Sequence, residues 1–155
     1  MRRAPSHPRV LGFLGRALSM ELSAVQQYLT QASFAEAWGL PEASQRFRQE
    51  TVEEMQHAER LVQRMLALGA APNASQIRPA GCGRNLVELL QADQRLEADI
   101  VALYAEATAF CRQLGDQTNA EFFAALLAEE QHHAQEIDAW LAALQQPAHP
   151  SRQAV

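Results

Sequence analysis

Glu54-Met55-Gln56-His57 is the stretch that decides the fold of this chain, because its motif returns as Glu130-Gln131-His132-His133. Residues three apart on an α-helix share a face, so Glu-x-x-His can present both side chains to one metal pair. A single copy would read as a solvated helix surface, where Glu and His are ordinary. The repetition changes that reading. Glu21 precedes Glu54 by 33 residues, and Glu97 precedes Glu130 by 33 residues. The chain thus consists of two similar hairpins, each a Glu followed by Glu-x-x-His. Glu129 with His132 offers an overlapping register. The equal spacing favours Glu130 with His133, as does their line with Phe123, Leu127, Ile137 and Leu141.

Outward from these motifs the apolar residues fall at helical spacing in four segments. Segment one runs from about Val10 to Trp38, striped by Leu11, Leu14, Leu18, Leu22, Val25, Leu29 and Ala32. Gly39 suits its end, and Pro41 starts segment two, which carries Phe47, Thr51, Met55, Ala58, Leu61, Met65 and Leu68 near one side. Segment three begins near Asn85, with Glu88 placed as a reciprocal capping partner, and ends near Gly115. Leu86, Leu89, Leu90, Leu96, Ile100, Leu103 and Ala107 mark its buried side. Segment four starts near Thr118, with Glu121 three residues on, and Pro147 and Pro150 close it. Its buried side is expected to hold Phe123, Leu127, Ala134, Ile137, Leu141 and Leu144.

Short turns make segments one and two antiparallel neighbours, and likewise three and four. Ala70 to Gly83 is different: fourteen residues rich in Ala, Pro, Asn and Gly. Nearly extended, it reaches roughly 45–50 Å, and a helix of segment length is roughly 42 Å long. The link can run the whole length of the bundle, leaving segments two and three parallel. The expected fold is all-α, a four-helix bundle with one long crossover between helices two and three. We read residues 1–155 as one domain, with a core of about 10–146 and a short tail at 147–155.

Composition agrees with a helical domain and limits its partners. Apolar residues make up 48% of the 155, and the net charge is −5. A phosphate-binding face needs a basic excess, so no nucleic-acid partner is expected. No apolar run is long enough to span a bilayer, and the Arg2-Arg3 start lacks the apolar segment of a signal peptide, so a cytoplasmic protein is expected. Cys82 and Cys111 form no metal-binding pair and read as free thiols.

The carboxylates then set the chemistry. Glu21 sits beside Leu18, Leu22 and Val25, and Glu54 lines up with Phe47, Leu61 and Met65. Carboxylates on apolar faces are costly unless paired or metal-bound. Glu21, Glu54, Glu97 and Glu130 carry −4, two Fe(II) carry +4, and His57 and His133 complete the set without charge. A Glu from each of two helices plus Glu-x-x-His from the other two is the di-iron or di-manganese carboxylate arrangement.

On these residues the chain resembles the bacterioferritin family. The likeness runs roughly from Leu11 to Leu144. It is clearest at Glu21-Leu22-Ser23-Ala24-Val25-Gln26-Gln27-Tyr28, at Trp38-Gly39-Leu40 and at Glu54-Met55-Gln56-His57-Ala58-Glu59-Arg60. The resemblance implies a ferritin-like fold and iron storage, with a ferroxidase that oxidises Fe(II) by dioxygen or peroxide. Its metal ligands would be Glu21, Glu54, His57, Glu97, Glu130 and His133, with Glu54 and Glu130 bridging two irons. Tyr28 would stand near the iron pair as an electron source. Met55 would be the axial ligand of a b-type haem, one from each of two subunits, between walls of Leu22, Val25, Leu29 and Val52. Arg48 departs from the aromatic commoner there. Glu50 and Glu53 match interior acids that nucleate mineral, or are simply solvated.

The resemblance also implies a homo-oligomer built on a two-fold dimer, and a 24-subunit cage whose channel is lined by a short fifth helix. Here Pro147 and Pro150 break the tail, so that helix is expected to be absent or disrupted, with His149 a solvated tail residue. Two other functions remain open on sequence. One is another di-metal enzyme, such as a rubrerythrin-like peroxidase, a manganese catalase or an oxygenase, although the cysteines of a rubredoxin module are missing. The other is a haem-binding structural subunit of a mixed cage.

Overall fold

The structure, a computed structural model, describes residues 6–147. Four helices account for most of them: α1 (Pro8–Ala37), α2 (Pro41–Ala67), α3 (Leu86–Leu114) and α4 (Gln117–Gln145). α1 begins two residues before its expected start, because the His7 ring caps it: Nδ1 accepts from the Arg9 N–H at 3.1 Å, and Pro8 takes the first turn. Asn85 caps α3 as expected, accepting from the Glu88 N–H at 3.0 Å. The reciprocal bond is shifted, with the Glu88 carboxylate taking the N–H of Arg84 instead. α4 starts before Thr118, because Asp116 accepts from the Asn119 N–H at 3.1 Å. The expected tail break falls on residues of which only Pro147 is described; His149 and Pro150 lie outside.

Gly39 and Gly115 end α1 and α3 with φ of 74° and 75°, a left-handed geometry that other residues resist. Leu40 N–H then reaches back to Ala35 O at 2.8 Å, and Asp116 N–H to Cys111 O at 2.9 Å. These closures turn the chain sharply into α2 and α4.

Side-chain pairs give the directions. Gln31 meets Leu89, Gln27 meets Asp93, Tyr104 meets Glu21 and Arg9 meets Glu106, so α3 runs antiparallel to α1. Arg64 meets Asn119 and His133 meets Glu54, so α4 runs antiparallel to α2. α2 and α3 are parallel, as the long crossover requires.

The crossover is strapped to α1 by a polar ladder at four-residue spacing. Ser19 and Ser23 hydroxyls accept the N–H groups of Gln76 and Arg78 at 3.0 and 2.9 Å. Gln27 Oε1 accepts from Gly81 N–H at 2.8 Å, and Gln31 Nε2 donates to Gly81 O at 3.1 Å. Position 81 must be glycine: a Cβ there would lie 2.7 Å from Ala92 Cβ and 2.8 Å from Gln27 Oε1.

The core contains Phe13, Phe47, Phe123, Leu14, Leu61, Leu89, Leu90, Ile100 and Leu126, all fully buried. Burial of each large side chain contributes roughly 1.5–3 kcal/mol. The expected stripes departed from the true core at positions in three helices. In α1 the core side is Val10, Phe13, Ala17 and Met20 beside Leu14 and Leu18, while Leu29 is 51% exposed. In α2, Met55 faces outward and is 55% exposed. In α4, Leu126 is buried, Leu127 only partly, and Leu144 is exposed. No described helix is long and apolar enough to cross a membrane.

Candidate metal centre

Each helix delivers its site residues from its middle, where two turns of neighbours bury them. Glu21, Glu54, Glu97 and Glu130 have no exposed surface, and His57 and His133 are each 4% exposed. The structure brings all six together. One oxygen or nitrogen from each of Glu21, Glu54, His57 and Glu130 lies within 4.8 Å of the others. Glu54, Glu97, Glu130 and His133 form a second such group. The two quartets overlap at Glu54 and Glu130. The overlapping register is turned away, since the side chains of Glu129 and His132 are 50% and 68% exposed.

Both imidazoles point Nδ1 inward. His57 Nδ1 lies 2.6 Å from Glu130 Oε1, 3.0 Å from Glu54 Oε2 and 3.7 Å from Glu21 Oε1. His133 Nδ1 lies 3.2 Å from Glu54 Oε1 and 3.5 Å from Glu130 Oε2. The rings stack with centroids 5.7 Å apart. Despite this crowding, Glu21 Oε2 and Glu97 Oε2 have no hydrogen-bond partner, and the two Glu130 oxygens meet only the imidazole nitrogens. Buried carboxylate oxygens without donors are costly. Their convergence with two imidazole nitrogens fits a pair of cations and gives each the mixed oxygen and nitrogen donors that iron or manganese accepts.

The electrostatics point the same way. Burial, then the neighbouring carboxylates Glu54 and Glu130, hold Glu21 and Glu97 well above the usual carboxylate range. Burial alone would lower His57, but Glu130, Glu21 and Glu54 outweigh it and push the imidazole up to about 12. His133 is raised against its burial by Glu130 and Glu54. Glu130 is held low against its own burial by bonds to His133 and His57.

Tyr28 is buried and donates to Glu97 Oε1 at 2.5 Å. Its counterpart had been missed: Tyr104, fully buried, donates to Glu21. The signal for it was present, since Tyr104 follows Glu97 by seven residues just as Tyr28 follows Glu21. Burial first, and then the facing carboxylates, push both phenols well above their ordinary range. Neither is ionised at neutral pH.

Met55 lies apart from this centre, on the outer side of α2. Val52 on α2 and Leu29 on α1 are exposed as well, and Arg48 is drawn aside to Glu36 at 2.6 Å. Glu50 and Glu53 approach His133 instead of standing free, at 3.6 and 2.5 Å. An open cavity of about 520 Å³ on the α2 and α4 side, lined by Glu53, Gln56, Arg60, Glu129 and His132, leads to both histidines.

Known proteins resemble this chain over nearly the whole bundle. The family model described as a ferritin-like domain matches residues 12–146. A bacterioferritin of Brucella melitensis biotype 1 is 36% identical over 81% of this chain and 78% of its own length. One from Rhodobacter capsulatus is 35% identical over 81% and 78%. A bacterioferritin of Mycobacterium leprae is 32% identical over 90% and 87%.

Proposed function

This chain belongs to the bacterioferritin family of ferritin-like proteins, and from that premise we propose that it stores iron, oxidising Fe(II) to Fe(III) with dioxygen or peroxide at the four-carboxylate, two-histidine centre. The observation that carries this reading is the pair of overlapping quartets. Glu54 and Glu130 belong to both, which suits them to bridge two Fe(II). Glu21 with His57 completes one half, and Glu97 with His133 the other.

Fe(II) is the substrate here, and the residues supply position and dryness. Each Fe(II) gives up one electron. Two electrons and two protons take dioxygen to hydrogen peroxide, or hydrogen peroxide to two waters. Hard carboxylate oxygens stabilise the Fe(III) product more than the Fe(II) substrate. The Tyr28 phenol, bonded to Glu97, is placed to supply one electron of the oxygen reduction in place of an iron, its proton passing to Glu97 and its electron being returned by a further Fe(II). Fe(III) then leaves by the cavity on the α2 and α4 side, past Glu53 and Glu129, toward a mineral store.

The outer face of α2 supports two further parts of the reading. Met55, Val52 and Leu29 are exposed apolar side chains, and the Met55 thioether is free to bind a metal. A b-type haem would sit there between two copies, with one Met55 from each, and would supply an electron route to the store when bound. The same surface would be the seam of a two-fold dimer, and a 24-subunit cage is the assembly that such dimers build in this reading.

Anaerobic titration with Fe(II), followed by air, tests the proposal. About two Fe(II) should bind per chain, the number a di-iron bundle holds, and air should oxidise them rapidly. Glu54→Ala should abolish the fast phase while leaving helicity intact. Binding of one Fe(II) or none, or an unchanged rate in Glu54→Ala, would reject it.

A further inference from the structure

The two halves of the centre are related by a constant offset of 76 residues: Glu21 with Glu97, Glu54 with Glu130, His57 with His133 and Tyr28 with Tyr104. The same offset relates Glu53 to Glu129, one residue before each bridging carboxylate. These two acids reach across the cavity to the histidine of the opposite hairpin. Glu53 lies 2.5 Å from His133 Nε2, and Glu129 lies 3.8 Å from His57 Nε2. Each ligand imidazole therefore faces the quartet with Nδ1 and an acid at the cavity rim with Nε2.

The rim is not symmetric. Arg60 lies 2.5 Å from Glu129 and draws that carboxylate away from His57. The position related to Arg60 by the offset is Glu136, an acid, and among the described residues no arginine reaches Glu53. Glu50, also beside His133 at 3.6 Å, adds a second carboxylate to that half. A carboxylate that accepts the far N–H of a ligand histidine fixes its tautomer, orients its ring and raises its basicity.

We propose that Glu53 is a positioning residue for His133, and that it makes the Glu97 and His133 half the tighter of the two cation subsites, while Arg60 keeps Glu129 from doing the same for His57. The inference rests on the two-cation reading given above. Glu53 meets His133 directly, and among the described residues no arginine competes for it. Its partner across the pseudo-two-fold is already neutralised. The first divalent cation to arrive settles on the Glu97 and His133 half, and the second fills the Glu21 and His57 half.

Co(II), followed by its visible absorption in the metal-free full-length chain, tests this without oxidation chemistry. Two Co(II) should bind in two resolved steps. Glu53→Ala should weaken the first step about 10- to 100-fold, the usual cost of losing such an outer partner. Glu129→Ala should leave the first step within a few-fold of the parent. Arg60→Gln should tighten the second step and narrow the gap. His133→Ala should remove the first step and His57→Ala the second. Thermal unfolding of each metal-free variant, measured in parallel, separates an effect on binding from one on folding. Two equal steps, a first step unmoved by Glu53→Ala, or a gap unmoved by Arg60→Gln would overturn the proposal and leave the two-cation reading standing. Fewer than two Co(II) per chain would overturn both.

Discussion

Loading the centre with two divalent cations should expel about four protons per chain at pH 7. The count follows from which groups hold a proton when the site is empty. His57 is raised to about 12 and His133 is raised as well, so both rings are imidazolium. Burial keeps Glu21 and Glu97 well above the carboxylate range, so each holds its proton more tightly than a free carboxyl does. A metal ligand must be a neutral imidazole or an ionised carboxylate, so these four groups each give up one proton on binding. Two M(II) bring +4 as four H⁺ leave, and the net charge of the buried centre does not change. That equality is what allows a dry interior to accept two dications.

The sign with pH follows from the same shifts. Lowering the pH adds protons that compete with the metal, so apparent affinity must fall on acidification and rise toward alkaline pH. The assay is a titration of weakly buffered protein with Zn(II), which is not oxidised and forms no mineral, followed by a pH indicator. Release of about four protons is expected. Release of two or fewer would mean that Glu21 and Glu97 are already ionised in the empty site, and would refute the argument.

Met55→Leu should remove haem absorbance from protein purified with haem while leaving Fe(II) oxidation unchanged, because Met55 faces away from the centre; retained haem would place the axial ligand elsewhere. Asp93 is buried, and burial raises it from 3.8 to about 7, only partly offset by bonds from Gln27 and Gln31 and by Arg95. The folded state then holds its proton more tightly than the unfolded chain, so stability falls as pH rises from 4 to 7, by up to roughly 4 kcal/mol. Asp93→Asn keeps the acceptor for Gln27 and removes the charge, so its Tm advantage over the parent should be larger at pH 8 than at pH 5; equal advantage at both would refute the assignment. Gly81→Ala should lower Tm by several degrees, through overpacking of roughly 1–3 kcal/mol against Ala92 and Gln27; an unchanged Tm would show that the crossover is looser than its bonds indicate.

The parts of this molecule legible in its sequence were those governed by period and spacing. Helical stripes, Gly39 and Gly115 at the turns, and the length of the crossover sufficed for four helices and their directions. The 33-residue spacing of Glu21 to Glu54 and of Glu97 to Glu130 picked out the side chains that converge. What escaped was governed by rotation and by partners. A stripe drawn through Leu11, Leu22, Val25 and Leu29 follows hydrophobicity alone, and this protein has apolar residues on two sides of α1. Only packing separates the core side from the side where Leu29 is exposed. Gln27, Gln31 and Asp93 look solvated in sequence because nothing local shows that an extended strand of chain will lie across them.

The deeper reason the centre could be read at all lies in its internal two-fold. A buried carboxylate is costly, and a sequence tolerates four only if each has its compensation. In this chain the compensations come in related pairs. Tyr28 of the first hairpin serves Glu97 of the second, and Tyr104 of the second serves Glu21 of the first. His57 faces Glu130 across the bundle as His133 faces Glu54. Each tyrosine serves an acid of the opposite hairpin, and each histidine meets acids of both, so the full set of partners exists only when the two hairpins dock. The symmetry ends at the rim, where Arg60 stands on one side and Glu136 on the other. A fully symmetric centre would hold two equivalent cations with no preferred order of filling. The break at Arg60 supplies a direction, and a direction is what a site needs if iron is to pass through it and not simply rest there.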